Sequence, residues 1–161
     1  MIRPPLTLTL RSADATARLA ERLGALLHPG DCLLLDGPIG AGKTHFARAL
    51  IQSLMDVPED VPSPTFTLVQ TYDTGAGELW HADLYRLSSP DEIEELGLTE
   101  AMEQAICLIE WPDRLGPLTP PDALSLSFAT TQEDDETRRL TLTWTAPHWA
   151  DRLDHLKDTT E

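Results

Sequence analysis

The chain has 161 residues, 41% of them hydrophobic, and a formal net charge of −15 at pH 7. That length suits one domain with a real core, and that charge repels phosphate backbones and anionic lipid, so non-specific nucleic-acid binding is disfavoured while a basic partner surface or a solvated acidic face both fit. No apolar run approaches the roughly 20 residues a membrane span needs, and the N-terminus shows no apolar signal-like region, so the reading is a soluble cytoplasmic protein.

In chain order, Leu6, Leu8 and Leu10 alternate with threonines, which predicts a half-buried strand. Ser12 then caps a helix whose Leu19, Leu23, Leu26 and Leu27 share a face, and Pro29-Gly30 is expected to stop it. Cys32 to Leu35 is an apolar run between turn signals and reads as a buried strand. Both cysteines, Cys32 and Cys107, lie in such runs and read as reduced, buried small hydrophobes. After a glycine-rich turn, Phe46, Ala47, Leu50, Ile51 and Leu54 repeat at helical spacing. Residues 56–66 hold three prolines and no periodicity, hence a loop; a strand is expected over Phe66 to Tyr72, then a turn at residues 73–78.

Residues 78–85 alternate again, with Trp80, Ala82 and Leu84 on one face and His81, Asp83 and Tyr85 on the other. A short helix follows, with Ser89 as its cap, Pro90 in its first turn, Glu92 completing a capping box and Gly97 ending it. A second buried strand runs to Glu110 and Trp111. Leu124, Leu126 and Phe128, then Leu140, Leu142 and Trp144, predict a C-terminal hairpin joined by the acidic stretch TTQEDDET, before a short helix and polar tail over residues 146–161. Strand, glycine turn and helix make the chain an α/β protein, a single domain over residues 1–161.

The chemistry concentrates in GPIGAGKT, residues 37–44, which satisfies G-x-x-x-x-G-K-T between an apolar strand and an amphipathic helix. Backbone N–H groups must converge on phosphate oxygens, so Gly37, Gly40 and Gly42 keep side chains out of the way. The helix then directs its positive end at the same point. Lys43 is expected to reach the β- and γ-phosphates and Thr44 to place its hydroxyl on Mg²⁺. The chain has only one other lysine, Lys157.

Glu110 follows four apolar residues, the pattern of a strand whose terminal acid meets the metal shell or the attacking water. Asp83 is a second acid for the same cation, or else the ion-pair partner of Arg86; Arg86 could instead stabilise transition-state charge. Ser63 and Thr65 flank Pro64 in the proline-rich loop and could act as switch hydroxyls toward γ-phosphate or metal. His81 has no Cys or His companion at ligand spacing, which argues against zinc. Trp111 stands where it could stack near a nucleotide or close the core.

GPIGAGKT, SPTFTLV, HADLYRL and LIEWPDRL, in this order, resemble the TsaE (YjeE) family over roughly residues 6 to 145. The resemblance implies a small P-loop NTPase domain with a mainly parallel sheet and an added C-terminal β-hairpin. It implies an ATPase of bacterial threonylcarbamoyladenosine (t6A) synthesis at adenosine 37 of tRNAs reading ANN codons. Such a protein works with ATP or ADP and Mg²⁺, is slow alone, and binds the TsaB–TsaD complex, meeting tRNA only through it. The resemblance further implies that Gly40, Ala41, Gly42, Lys43 and Thr44 hold the phosphates, with Thr44 on the metal. It makes Thr65 a switch-loop residue, Asp83 and Glu110 the acids of metal and hydrolysis, Trp111 a neighbour of the site, and Ser12 the approach to the nucleoside. This chain departs from the family's usual G-D-L-G-A-G-K-T-T at Pro38, Ile39 and His45. Pro38 removes one N–H from the loop, and His45 brings an imidazole where a hydroxyl would meet the α-phosphate.

Two other functions fit the phosphate loop. A small-molecule P-loop kinase would need an arginine-bearing lid, and no arginine cluster lies between the second helix and Asp83. A nucleotide-dependent docking module would need no hydrolysis at all. A GTPase is disfavoured because guanine-reading NKxD needs asparagine, and the chain has none.

Overall fold

The structure, a computed structural model, describes residues 2–132, 135–154 and 156. Glu133 and Asp134 of the hairpin connection, and the polar tail from residue 157 with Lys157, lie outside the described residues. Strands β1 (Leu6–Leu10), β2 (Cys32–Asp36), β3 (Val69–Thr74), β4 (Gly77–Asp83), β5 (Ile106–Glu110), β6 (Leu124–Thr130) and β7 (Arg138–Thr143) form one sheet in the order β1-β7-β6-β2-β5-β4-β3. β2 lies parallel to β5 and β6, and β5 parallel to β4, while β1–β7, β6–β7 and β3–β4 pair antiparallel. Five of the seven strands therefore point the same way, the mainly parallel sheet and C-terminal hairpin that the sequence predicts.

Central strands CLLLD and ICLIE are apolar up to their terminal acids because both their faces are covered. Alternation then divides them. Leu33, Leu35, Ile106 and Leu108 face α1 (Ala13–Gly24), α2 (Lys43–Leu54) and α5 (His148–Asp154). Leu34, Cys107 and Ile109 face α3 (Pro90–Glu95), α4 (Leu98–Gln104) and the 3₁₀ turns of Pro112–Leu118. Cys32 and Cys107 oppose each other across β2 and β5, both free and buried. Burial pushes both thiols up, Cys107 to about 12. Helix α5 is clasped from two sides: Trp149 Nε1 donates to Asp122 O at 2.7 Å, and Arg152 meets Asp31 at 2.6 Å.

Four local expectations are corrected. Helix α1 ends at Gly24 rather than at Pro29-Gly30. Leu26 and Leu27 donate three residues back, to Leu23 O and Gly24 O, so the helix tightens and closes early. β3 begins at Val69, not Phe66: Leu68 N–H closes a turn onto Pro64 O at 2.7 Å, Leu68 itself has φ 70°, and Phe66 is 84% exposed. The capping box is incomplete: Ser89 makes no side-chain cap bond, and the Glu92 carboxylate is held below the usual carboxylate range chiefly by the hydroxyl and amide of Ser88 (2.8 and 3.2 Å), with Ser89 adding less. Finally, Gly97 (φ 79°) ends α3 and at once starts α4, a helix not anticipated separately.

Gly37 marks where β2 leaves the sheet. It has φ 141°, and a Cβ there would lie 2.5 Å from the Phe128 carbonyl of β6, so backbone presses on backbone. At Gly40, φ 83°, a Cβ would meet nothing within 4 Å. Gly40→Ala is therefore expected to cost only the left-handed strain, about 1–2 kcal/mol. Gly37→Ala adds a clash to the strain and is expected to cost about 3 kcal/mol or more. Urea unfolding of the two variants checks this; equal losses would rule out the close approach as the reason for Gly37.

Candidate nucleotide-binding site

The loop from Gly37 to Gly42 turns β2 into α2, with Gly37, Gly40 and Gly42 all at positive φ. Ala41 points inward and is fully buried, its N–H closing a turn onto Pro38 O at 3.2 Å. Helix α2 has no side-chain cap and no acidic residue in its first turn. Its positive end is thus answered by no carboxylate of that turn and stays suited to an anion.

Lys43 opens α2 and is only 5% exposed. Its ammonium donates to Gly37 O at 2.5 Å and lies 3.5 Å above the centre of the Trp111 ring. Burial lowers its pKa, against the opposing pull of Glu110, Asp36, Asp83 and Asp113. Trp111 is itself held in an uncommon backbone conformation, φ 59°, with its N–H on Leu35 O and its ring 4.8 Å from that of Tyr85. Strain of this kind at a non-glycine residue is stored where the surroundings impose it.

The two acids arrive by strand register. Glu110 ends β5 opposite Leu35 on one side and Asp83 on the other. Glu110 Oε1 accepts from the Thr44 hydroxyl at 2.8 Å, and Oε2 lies 2.7 Å from His81 Nε2. Asp83 accepts from the Thr65 hydroxyl at 3.2 Å and from the Tyr85 amide at 3.0 Å; Ser63 and Thr65 share a further hydrogen bond of 2.7 Å. Arg86 turns away from Asp83 toward Phe66, its guanidinium 3.4 Å from that carbonyl. The proline-rich loop is tied to α2 by Arg48 on Val61 O and Gln52 on Glu59 O, both 2.9 Å.

These groups surround a cleft of about 640 Å³ outside the carboxyl ends of the parallel strands, the usual ligand position in open α/β sheets. Gly40, Gly42, Lys43, Thr44, His45, Thr65, Asp83, Glu110 and Trp111 all line it. Gly37 and Ala41 support the loop from behind. Ser12 does not line the cleft: its hydroxyl caps α1 through Ala15 N–H at 3.1 Å, and the adjacent Ala13 and Thr16 form the wall instead. His45 bridges the starts of α2 and α1, its Nε2 3.0 Å from Ala13 O.

Ile39, Tyr85 and Arg138 also line the cleft; sequence reading named Ile39 only as a departure in the loop and Tyr85 only by its strand face, and did not single out Arg138. Arg138 comes from the start of β7, reaches Gly40 O at 3.4 Å and holds Asp135 O at 2.6 Å. Its only signal would have been hairpin register, which carries a residue 98 positions away back to the loop. Tyr85 was placed on the Asp83 face, but nothing local tied its ring to Trp111.

A glycine turn between buried strand and helix, with acids from two neighbouring strands on the same rim, defines a P-loop α/β protein. A family model described as "Threonylcarbamoyl adenosine biosynthesis protein TsaE" matches residues 10–140. The chain is 41% identical over 133 residues to the tRNA threonylcarbamoyladenosine biosynthesis protein TsaE of Rickettsia felis, covering 83% of this chain and 76% of that one. Against the TsaE protein of Bacillus subtilis it is 36% identical over 131 residues, 81% of this chain and 80% of the relative. The crystal structure of Bacillus subtilis YdiB superposes with a TM-score of 0.79 at 26% identity, covering 100% of this chain and 99% of the other. The chain belongs to the TsaE family of threonylcarbamoyladenosine biosynthesis proteins.

Lys43 makes this site pH-dependent in a defined direction. Its folded pKa lies below the unfolded one, so between the two values the unfolded chain binds more protons and stability rises with pH. Lys43→Met lacks that titration. Urea unfolding is expected to show the wild type gaining on Lys43→Met as pH climbs from the lowered folded value to the ordinary lysine value, with a flat difference below the folded value. A gap that narrows instead would contradict the burial of the ammonium.

Proposed function

We propose that this chain is a Mg²⁺-dependent ATPase that supports t6A synthesis on tRNA in the cytoplasm, acting with a TsaB–TsaD complex and meeting tRNA only through it. The observation that carries the reading is the 2.8 Å bond from the Thr44 hydroxyl, at the start of α2, to Glu110 at the tip of β5. By donating its proton to Glu110, Thr44 turns its lone pairs toward the cleft, as a hard cation's ligand must. One hydroxyl and one or two carboxylates suit Mg²⁺, which keeps several waters and takes its remaining ligands from phosphates. When bound, the ion, held by Thr44 with Glu110 and Asp83, would supply positive charge to the phosphates.

The chain's own groups do the rest. Loop amides and the α2 terminus hold the phosphates. Lys43 leaves the Gly37 carbonyl for a β- or γ-oxygen, where its charge counters that on the phosphoryl group passing to water and on the departing ADP. Glu110 or Asp83, as carboxylate, accepts from the water that attacks in line. Asp83 is coupled through Thr65 to the proline-rich loop, which ties that acid to a segment a partner can press on. Isolated turnover is accordingly slow and partner binding raises it.

Phosphate release by the purified chain, with and without TsaB–TsaD, tests this. Lys43→Ala is expected to lower release by about 10²-fold or more in both conditions; unchanged rates would remove the loop from the reaction. A docking role without hydrolysis predicts something different: Glu110→Ala would still support t6A formation in the reconstituted system. Under the ATPase reading that variant is expected to bind the complex and make no t6A.

A further inference from the structure

His81 has no part in the reaction just described, yet it sits beneath it. The ring is 0% exposed and does not line the cleft, so no ligand held there touches it. Strand β4 carries His81 two residues before Asp83, on the same face, and aims Nε2 diagonally across to β5, 2.7 Å from Glu110 Oε2. The other ring nitrogen, Nδ1, is buried with no hydrogen-bond partner. The Nε2–H tautomer fits both facts, because it puts the proton where an acceptor waits and leaves Nδ1 a lone pair rather than an orphaned donor. Glu110 is only 2% exposed. One of its oxygens is taken by Thr44 and the other by His81, so the carboxylate is pinned from both ends.

We propose that His81 is a positioning residue that orients Glu110 from below and so sets how tightly the cleft holds a divalent cation with its nucleotide. The inference rests on the Mg²⁺–ATP reading of the site. Its physical content is that a carboxylate with two fixed partners keeps one geometry, whereas one with a single partner rotates and satisfies its free oxygen elsewhere. The Thr44–Glu110 bond then loses its alignment, and with it the direction of the Thr44 lone pairs. Partners behind a ligand set typically change metal affinity by about 10–100-fold when removed.

Three variants separate positioning from packing. His81→Gln keeps an N–H at about the reach of Nε2, His81→Asn is polar but too short, and His81→Leu is apolar. ATP affinity is measured by calorimetry in EDTA and then across a Mg²⁺ titration, with thermal melting of each protein alongside. His81→Leu and His81→Asn are expected to need about 10–100-fold more Mg²⁺ for the same gain in ATP affinity, with affinity in EDTA unchanged, while His81→Gln stays near wild type. On a Glu110→Gln background, His81→Asn is expected to add nothing, since both act through one carboxylate.

Losses of equal size in EDTA and in Mg²⁺ would overturn the proposal, as would effects that add on the Glu110→Gln background. So would His81→Gln and His81→Asn behaving alike; that pair carries the test should His81→Leu fail to fold. Wild-type protein that binds ATP without any gain from Mg²⁺ would bring down the cation reading and this inference together, whereas a wild-type gain that all His81 variants share removes the inference alone.

Discussion

Parallel pairing of β5 between β2 and β4 is the constraint on which the site depends. Register alone sets Glu110 beside Leu35 and beside Asp83. The phosphate loop begins immediately after β2, so the acid of one strand and the hydroxyl that starts the next helix must meet at the same rim. The sheet can hold β5 there because both faces are covered, one by α1, α2 and α5, the other by α3, α4 and the turns after Trp111. A slip of one residue in β5 would invert its faces and withdraw Glu110 from Thr44.

Charge gives this arrangement its character. The chain carries a formal −15 and one lysine within the phosphate loop. That ammonium already faces Glu110, Asp36, Asp83 and Asp113, and the cleft wall adds Asp135 and Glu136. A polyanion entering such a cleft needs more positive charge than Lys43 and Arg138 provide. In the proposed function a divalent ion bound with the phosphates would supply the rest, which is the electrostatic reason to couple nucleotide and cation there. The same balance accounts for the resting posture of Lys43: with burial against it, the ammonium takes a carbonyl and an indole face as partners.

Much of this was legible in the sequence wherever the chemistry is local. The octet from Gly37 to Thr44 needs only its own glycines and the flanking apolar runs, and the strands that carry Asp83 and Glu110 announce themselves by composition, although the first stops at Asp83 rather than running on to Tyr85. What was not legible is what distance along the chain hides. Arg138 reaches Gly40 only because a hairpin returns beside β2, and Tyr85 meets Trp111 only because β4 and β5 end together. Ser12 shows the converse: a polar residue near the site caps its own helix, as its sequence position suggests, and its neighbours form the wall. The early close of α1 and the late start of β3 turned on a few hydrogen bonds, at Leu26, Leu27 and Leu68, that no periodicity records.

The two cysteines lie on the same central strand pair, opposed at the end remote from the phosphate loop. Buried, and with their protons held far into the alkaline range, they present almost no thiolate to an oxidant or alkylating agent. Both side chains belong to the cluster under α3 and α4, so an opening that exposes them need only lift that layer from the sheet. Thiol labelling would therefore report on the face of the sheet opposite α2, the helix that carries Thr44.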